Sequence, residues 1–446
     1  MGKLFGTDGI RGIANRDPIT TEIALKLGRA AIRFCERKGL RPTIVIGRDT
    51  RESGEMLEHS LVSGVLSAGG EAFRIGEIPT PGVAFLTKEL GGGAGIVISA
   101  SHNPHEYNGF KVFSHEGFKL SNDEETEIED LILSEVTHPP NKDSGKAGFI
   151  GDAWKRYVYF LKKTLPGNRP LRNMKIVIDC ANGATWKAGP ALFKDLGARI
   201  ETLFADPDGE NINLNCGSQY TETLRKKVLE TGFDLGLAFD GDGDRLIAVD
   251  EKGQVLTGDQ VLIICAKMLK DKGLLKNKLV VSTVMSNMGL QFALNNLGIE
   301  HSSSPVGDRY VMEKMRAKGA VLGGEDSGHI IFLDHHTTGD GLISALQLLT
   351  AIKFFEQPLS GLATLMTIFP QTLINVPVKI KPDISSVPEL GSVIKNVEQK
   401  MGKRGRVLVR YSGTETVLRV MVEGEKEEDV ERFAGNIAEV VRRNLG

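Results

Sequence analysis

No uninterrupted apolar segment in this chain of 446 residues approaches the ~20 residues that a membrane-spanning helix needs. The start, Met1-Gly-Lys-Leu-Phe-Gly-Thr-Asp8, carries no apolar signal region. Cysteine is scarce: the 4 present, Cys35, Cys180, Cys216 and Cys265, stand too far apart for a zinc knuckle or a C-x-x-C redox pair. Scattered thiols in so long a chain fit a reducing cytoplasm. An excess of one charge is lacking too, since the formal net charge is -2, which offers nothing to a nucleic acid or an anionic membrane surface. There is no P-loop and no G-x-S-x-G elbow, which argues against a nucleotide-derived phosphate and against a serine hydrolase. The expectation is a soluble cytoplasmic protein with no membrane and no nucleic-acid partner.

What is present is an ordinary globular composition, 25% charged and 41% hydrophobic, with 52 glycines that mark many tight turns. At roughly 150 residues per domain, the length suggests about three domains. One pattern recurs. Thr43-Ile-Val-Ile-Gly-Arg-Asp49 predicts a strand, a helical stretch runs to about Ala68, and Gly69-Gly70 follows. Lys175-Ile-Val-Ile-Asp179 begins the same series, with a helix to Leu196 and then Gly197. Lys278-Leu-Val-Val-Ser-Thr283 begins it again, with a helix to Leu297 and then Gly298. Near-continuous apolar strands suit a sheet buried on both faces, and a glycine after each helix suits the left-handed residue that closes it. Strand, helix and glycine in turn imply parallel crossover units.

Each unit adds a second strand that ends in a polar loop. The first ends at Ser101-His-Asn-Pro104, the second (Phe233 to Phe239) at Asp240 to Arg245, and the third (Gly319 to Leu322) at Gly323-Gly-Glu325-Asp-Ser327-Gly-His329. Ligand sites in open α/β sheets favour strand ends, so each unit is expected to present one loop to a shared cleft. The tail differs. Thr372 to Ile380, Arg406 to Tyr411 and Val417 to Glu423 predict strands, and Pro388 to Met401 and Glu427 to Asn444 predict helices, which makes a small α+β domain. Its loop Arg410-Tyr-Ser412-Gly-Thr414-Glu-Thr-Val-Leu-Arg419 offers hydroxyls, backbone N–H groups and two arginines, a set that suits a phosphate.

Asp240-Gly-Asp242-Gly-Asp244-Arg245 is the most specific signal. Alternate aspartates with glycines between can wrap one hard divalent ion. A calcium EF-hand is the nearest rival, because Glu251 falls at the twelfth loop position; its sixth position, normally Gly, is Arg245, and β-like apolar runs flank the loop instead of helices. A solvated acidic turn is the plainest alternative, although three clustered carboxylates would then repel uncompensated. Ser101 ends the β-branched run Gly95-Ile-Val-Ile-Ser99, and a serine before Asn-Pro also serves as a turn or cap, so the residues alone leave nucleophile and turn both open. A serine at a strand end and a metal-sized carboxylate cluster together suggest a hydroxyl that takes and gives a phosphoryl group. His102 is a candidate helper. Lys111, in Tyr107-Asn-Gly-Phe-Lys111, stands near the end of the serine loop, or is a solvated surface lysine. Arg11, in Phe5-Gly-Thr-Asp-Gly-Ile-Arg11-Gly, belongs to a phosphate clamp or a frayed tail. Glu325 and Ser327 could bind sugar hydroxyls, and His329 could carry a proton. His335 and His336 have no partner at ligand spacing and read as surface residues.

Taken together, the Phe5 to Gly12 segment, the Ser101 loop, the aspartate loop, the Glu325 loop and the Arg410 to Arg419 loop resemble the α-D-phosphohexomutase superfamily over essentially the whole chain. Phe5-Gly-Thr-Asp-Gly-Ile-Arg-Gly and Val306-Gly-Asp-Arg-Tyr-Val311 are similar to its bacterial glucosamine branch. The resemblance implies an α/β fold: three similar mixed α/β domains plus a C-terminal α+β domain around a central cleft. They would span 1–152 with a phosphoserine loop, 153–255 with a metal loop, 256–368 with a sugar loop and 369–446 with a phosphate loop. It implies that Ser101 is the phosphoserine and that Asp240, Asp242 and Asp244, with the serine phosphate, hold one Mg²⁺. Glu325 and Ser327 would bind sugar hydroxyls, and Arg410, Ser412, Gly413, Thr414 and Arg419 the phosphate that does not transfer. Arg11, Lys111, His329 and Arg245 would assist phosphoryl and proton transfer.

The implied activity is an isomerase reaction between glucosamine 6-phosphate and glucosamine 1-phosphate, in amino-sugar precursor synthesis. It would be activated by glucosamine 1,6-bisphosphate or glucose 1,6-bisphosphate, and a homodimer is admitted. The alternatives are a phosphomannomutase/phosphoglucomutase, a metal-dependent phosphatase using Ser101, and a non-catalytic phosphosugar- or calcium-binding protein. Two positions depart from the family's pattern: Asp326, where Gln is expected in this branch, and Thr416, where Pro is usual.

Overall fold

A computed structural model describes residues 4–6, 8–134, 143–165, 167–412 and 416–446. They form two compact units. The larger, up to Met285 and again over Leu297–Leu365, carries three mixed sheets; the smaller, Ser286–Asn296 with Met366–Gly446, carries an antiparallel one.

In the first sheet the apolar strand Thr43–Arg48 is buried at every position but the last. It runs parallel to Glu71–Glu77 on one side and to Ala94–Ile98 on the other. Ala94–Ile98 is wholly buried and turns back into the antiparallel strand Tyr107–Ser114, which pairs in turn with Ile10–Ile13. The segment that bears Arg11 is therefore a sheet strand and not a frayed tail. In the second sheet Lys175–Asp179 has parallel neighbours Arg199–Leu203 and Leu235–Phe239, and the latter turns back into antiparallel Leu246–Asp250. In the third, Leu279–Thr283 lies parallel to Glu300–Ser304 and Leu322–Gly324, and the latter turns back into antiparallel Ile330–Phe332. The repeat read from the sequence is thus a repeat of topology: the serine, aspartate and Glu325 loops are equivalent turns. Buried Val and Ile side chains contribute roughly 1.5–3 kcal/mol each, so these strands stabilise the sheets and leave the polar turns free for chemistry.

Two expectations are corrected. The strand expected from Gly319 begins at Leu322, because Gly319 (φ 68) is the left-handed residue that closes the helix Asp308–Lys318. His336 is not a surface residue. It is buried, with Nε2 2.8 Å from the Pro81 carbonyl oxygen and its ring edge-on to Phe160 at 5.2 Å. Its neighbour His335 is half-buried beside Phe332.

The smaller unit orders its strands Gln371–Pro377, Val417–Gly424, Gly405–Tyr411, all antiparallel. The helices Pro388–Met401 and Glu427–Leu445 cover them, burying Leu390, Val397, Phe433, Ile437 and Val441 with Val376, Leu418, Val420 and Val422.

Candidate active site

Ser101 has a left-handed backbone, φ 54. That conformation costs a non-glycine residue roughly 1–2 kcal/mol, so surrounding bonds must hold it. The buried side chain donates from Oγ to Asp240 Oδ2 at 2.6 Å, and His102 Nδ1 lies 3.3 Å from the same oxygen. Burial, and then the Arg245 and Arg11 guanidinium groups, push His102 down to about 4. The neighbour of the serine is therefore neutral.

Asp240, Asp242 and Asp244 are all buried in the hairpin turn between Leu235–Phe239 and Leu246–Asp250. One oxygen from each lies within 4.8 Å of the others. Asp242 Oδ1 and Asp244 Oδ1 have no hydrogen-bond partner among the described residues. Buried carboxylates with unmatched oxygens fit a hard divalent cation. The hairpin setting removes the EF-hand reading, and Glu251 is occupied elsewhere, accepting from the backbone N–H (3.2 Å) and the hydroxyl of Ser360. Gly241 allows the approach to the serine loop: a Cβ there would meet the Ser101 carbonyl oxygen at 2.5 Å. Gly328 (φ 91) does the same for the Glu325 loop, where a Cβ would meet the Leu246 carbonyl oxygen at 2.2 Å.

Lys111 is buried, not a solvated surface lysine. Its Nζ lies 2.8 Å from Asp242 Oδ2, 3.3 Å from Asp244 Oδ2 and 3.2 Å from Asp8 Oδ2. Lys119 Nζ bridges Asp8 Oδ1 and Asp308 Oδ2. Asp308 Oδ2 lies 3.4 Å from His329 Nε2, and His329 Nδ1 lies 3.6 Å from Asp244 Oδ2. Asp244, Lys111, Asp8, Lys119, Asp308 and His329 thus close a ring in which acidic and basic groups alternate, and against burial Asp244 and then Asp308 raise His329 above its ordinary value. The effect on titration is strong. Burial, then Asp244 and Asp242, push Asp240 well above the ordinary carboxylate range. Against burial, Lys111 and His329 hold Asp244 well below it. Against burial, Asp242, Asp244 and Asp8 hold Lys111 well above its ordinary value, so it is a fixed ammonium.

Arg11 Nη2 donates to Asp8 Oδ2 at 2.7 Å. Arg245 N donates to Asp240 Oδ1 at 3.1 Å and its Nε lies 3.8 Å from Asp244 Oδ1. Glu325 is half-buried, accepts from the Gly307 N–H at 3.1 Å, and is raised by burial. Asp326 is half-buried and Ser327 exposed. In the smaller unit, Arg410 and Arg419 stand directly opposite each other on antiparallel strands. Burial, then Arg419, push Arg410 down. Like charges in opposed positions repel, which an anion between them would relieve. Ser412 is buried and its carbonyl oxygen accepts from Lys381 Nζ at 3.1 Å. Gly413 and Thr414 lie outside the described residues. Thr416 is exposed, and its carbonyl oxygen accepts from the Val378 N–H at 3.0 Å.

Sequence reasoning missed Asp8, Lys119 and Asp308 as members of the ring, Thr80, which bonds Asp242, and Asp49 and Arg51 beneath the serine loop. The last two carried a usable signal, since they follow an apolar strand end as the other functional residues do.

A serine loop of one α/β/α domain set against an aspartate hairpin of the next is the arrangement expected of the α-D-phosphohexomutases. Models of the phosphoglucomutase/phosphomannomutase family match this chain as alpha/beta/alpha domain I over residues 2–138, domain II over 155–253, domain III over 257–369 and the C-terminal domain over 373–440. The chain belongs to that family. Within it, the chain is 57% identical over 449 residues to a phosphoglucosamine mutase of Syntrophus aciditrophicus, with 100% of each chain covered. It shares its fold with a phosphoglucomutase/phosphomannomutase family protein of Burkholderia thailandensis (TM-score 0.83, 24% identity, 99% of this chain and 98% of that chain). It also shares it with an Aspergillus fumigatus N-acetylphosphoglucosamine mutase solved with GlcNAc-6P and magnesium (TM-score 0.72, 18% identity, 99% and 96% covered). Among the described residues no helix is long and apolar enough to cross a membrane.

Proposed function

We propose that this protein is an isomerase that interconverts glucosamine 6-phosphate and glucosamine 1-phosphate through phospho-Ser101 and a 1,6-bisphosphate. The observation that carries the reading is Ser101 Oγ at 2.6 Å from Asp240 in a chain related over its full length to phosphoglucosamine mutases.

The P–O bond to Ser101 breaks as one forms to the free sugar oxygen, and the bisphosphate so made returns its other phosphoryl group to Ser101 after reorienting. Asp240, Asp242 and Asp244 would hold Mg²⁺, which when bound offsets charge on the transferring phosphoryl oxygens. Arg245 and Arg11 add fixed positive charge near Ser101. Lys111 meets three carboxylates and so serves as charge; His329, in the same ring, takes the sugar hydroxyl's proton and gives it back. Glu325 and Ser327 orient sugar hydroxyls. Arg410, Ser412, Gly413, Thr414 and Arg419 hold the phosphate that does not transfer, and must accept it from either end of the sugar. The half-buried Asp326 would favour a cationic 2-amino group.

Intact-protein mass spectrometry should show a substoichiometric phosphate on the parent enzyme, and replacing Ser101 with Ala should remove it and abolish turnover. Near-normal turnover by S101A would sink the nucleophile assignment. Release of free phosphate without isomerisation would favour a phosphatase.

A further inference from the structure

Beneath the Ser101 loop lies Arg51, one of the largest fully buried side chains, only 1% exposed. Its guanidinium meets four backbone carbonyl oxygens of that loop. Nη2 donates to Ser101 at 3.0 Å and to Asn103 at 2.7 Å, and Nη1 donates to Tyr107 at 2.9 Å and also to Pro104. Nε donates to Asp49 Oδ2 at 2.9 Å, so the buried charge is paired. That same Asp49 oxygen accepts from Ser99 Oγ at 2.5 Å, and Ser99 Oγ accepts from the Ser101 N–H at 3.0 Å. From the next domain, Asn213 Nδ2 donates to the Ser101 and Asn103 carbonyl oxygens at 2.9 and 3.0 Å.

The nucleophile is therefore gripped at both backbone ends, at its N–H through Ser99 and Asp49 and at its carbonyl through Arg51 and Asn213. Its φ of 54 is unfavourable for serine, so the loop needs such a grip to present Oγ to Asp240. Four converging carbonyl oxygens require several donors in one plane, which a guanidinium fork supplies and an ammonium does not.

We propose that Arg51 is the positioning residue that holds the Ser101 loop in its phosphoryl-accepting conformation. The inference rests on the mutase reading above, though not on which sugar is used. Arg51 touches no reacting atom, so its loss should appear in the chemical step and not in substrate binding.

The test is Arg51→Lys, which keeps the charge beside Asp49 but cannot span the four carbonyls. With the best hexose phosphate and Mg²⁺, kcat should fall at least tenfold while KM stays within about threefold, and Ser101 should accept phosphate from a bisphosphate correspondingly more slowly by mass spectrometry. A merely structural role would lower yield and melting temperature and leave kcat per folded molecule alone. A folded R51K with parental kcat, or with a loss confined to KM, would overturn the proposal. If R51K does not fold, Asn213→Ala carries the same test: a three- to tenfold loss of kcat at constant KM supports the grip, and an unchanged kcat overturns it. A parent enzyme inactive on every hexose phosphate would overturn the mutase reading and this inference with it; an active parent with an equally active variant overturns the grip alone.

Discussion

Thr80 Oγ1 donates to Asp242 Oδ2 at 2.6 Å, and the Thr80 N–H donates to the Asp242 carbonyl oxygen at 2.9 Å. The residue that opens the helix Thr80–Glu89 in the first domain thus orients a carboxylate of the second. Outer hydrogen bonds of this kind fix a metal ligand's geometry, and losing one typically costs about 10–100-fold in affinity or activity. Thr80→Val should therefore raise the Mg²⁺ concentration for half-maximal activity by about tenfold or more, with activity recovered at high Mg²⁺. Dialysis of the parent against a chelator should remove activity reversibly. An unchanged Mg²⁺ titration in T80V would refute the role given to this contact.

Arg419 stands opposite Arg410 in a sheet of the smaller unit, and the pair is read as the clamp for the phosphate that does not transfer. A charge-assisted hydrogen bond contributes about 1.5–3 kcal/mol, so Arg419→Ala should raise KM by roughly 10–100-fold and leave kcat within a few-fold. Steady-state kinetics separates the two. A fall in kcat with KM unchanged would mean that Arg419 acts on the chemistry.

His336 is neutral where it sits: Nδ1 accepts from the Thr337 N–H at 2.7 Å and Nε2 donates to the Pro81 carbonyl oxygen at 2.8 Å. Burial pushes it from the ordinary 6.5 down to about 4. The unfolded chain therefore binds the proton more readily. Its contribution is fully present above pH 6.5 and is lost as pH falls towards 4, by about 3 kcal/mol in all. Denaturant titrations at a series of pH values should show His336→Gln losing less stability than the parent across that window. Parallel pH curves for the two proteins would contradict this linkage.

The parallel strands were legible because burial on both faces leaves them nearly unbroken in Val and Ile, as in Thr43–Arg48 and Lys175–Asp179. The helix Pro388–Met401 was legible to the residue, with Pro at its start and Gly402 after its end. The aspartate hairpin announced itself by spacing. The ring around it did not, since Lys119 meets Asp8 and Asp308 from 111 and 189 positions away. His336 was misread for the same reason: Pro81 and Phe160, which bury it, are distant in sequence. Arg51 was passed over: it follows an apolar strand end as the other functional residues do, but the carbonyl oxygens that fold back onto its guanidinium leave no mark in the side-chain pattern.

The most direct measurement compares kcat/KM for glucosamine 1-phosphate, glucose 1-phosphate and mannose 1-phosphate, with Mg²⁺ and a trace of the matching bisphosphate. A strong preference for the amino sugar is expected, with the preference weakened in Asp326→Asn. Equal or better use of the neutral sugars would contradict the proposed substrate and leave a phosphomannomutase/phosphoglucomutase with the same machinery.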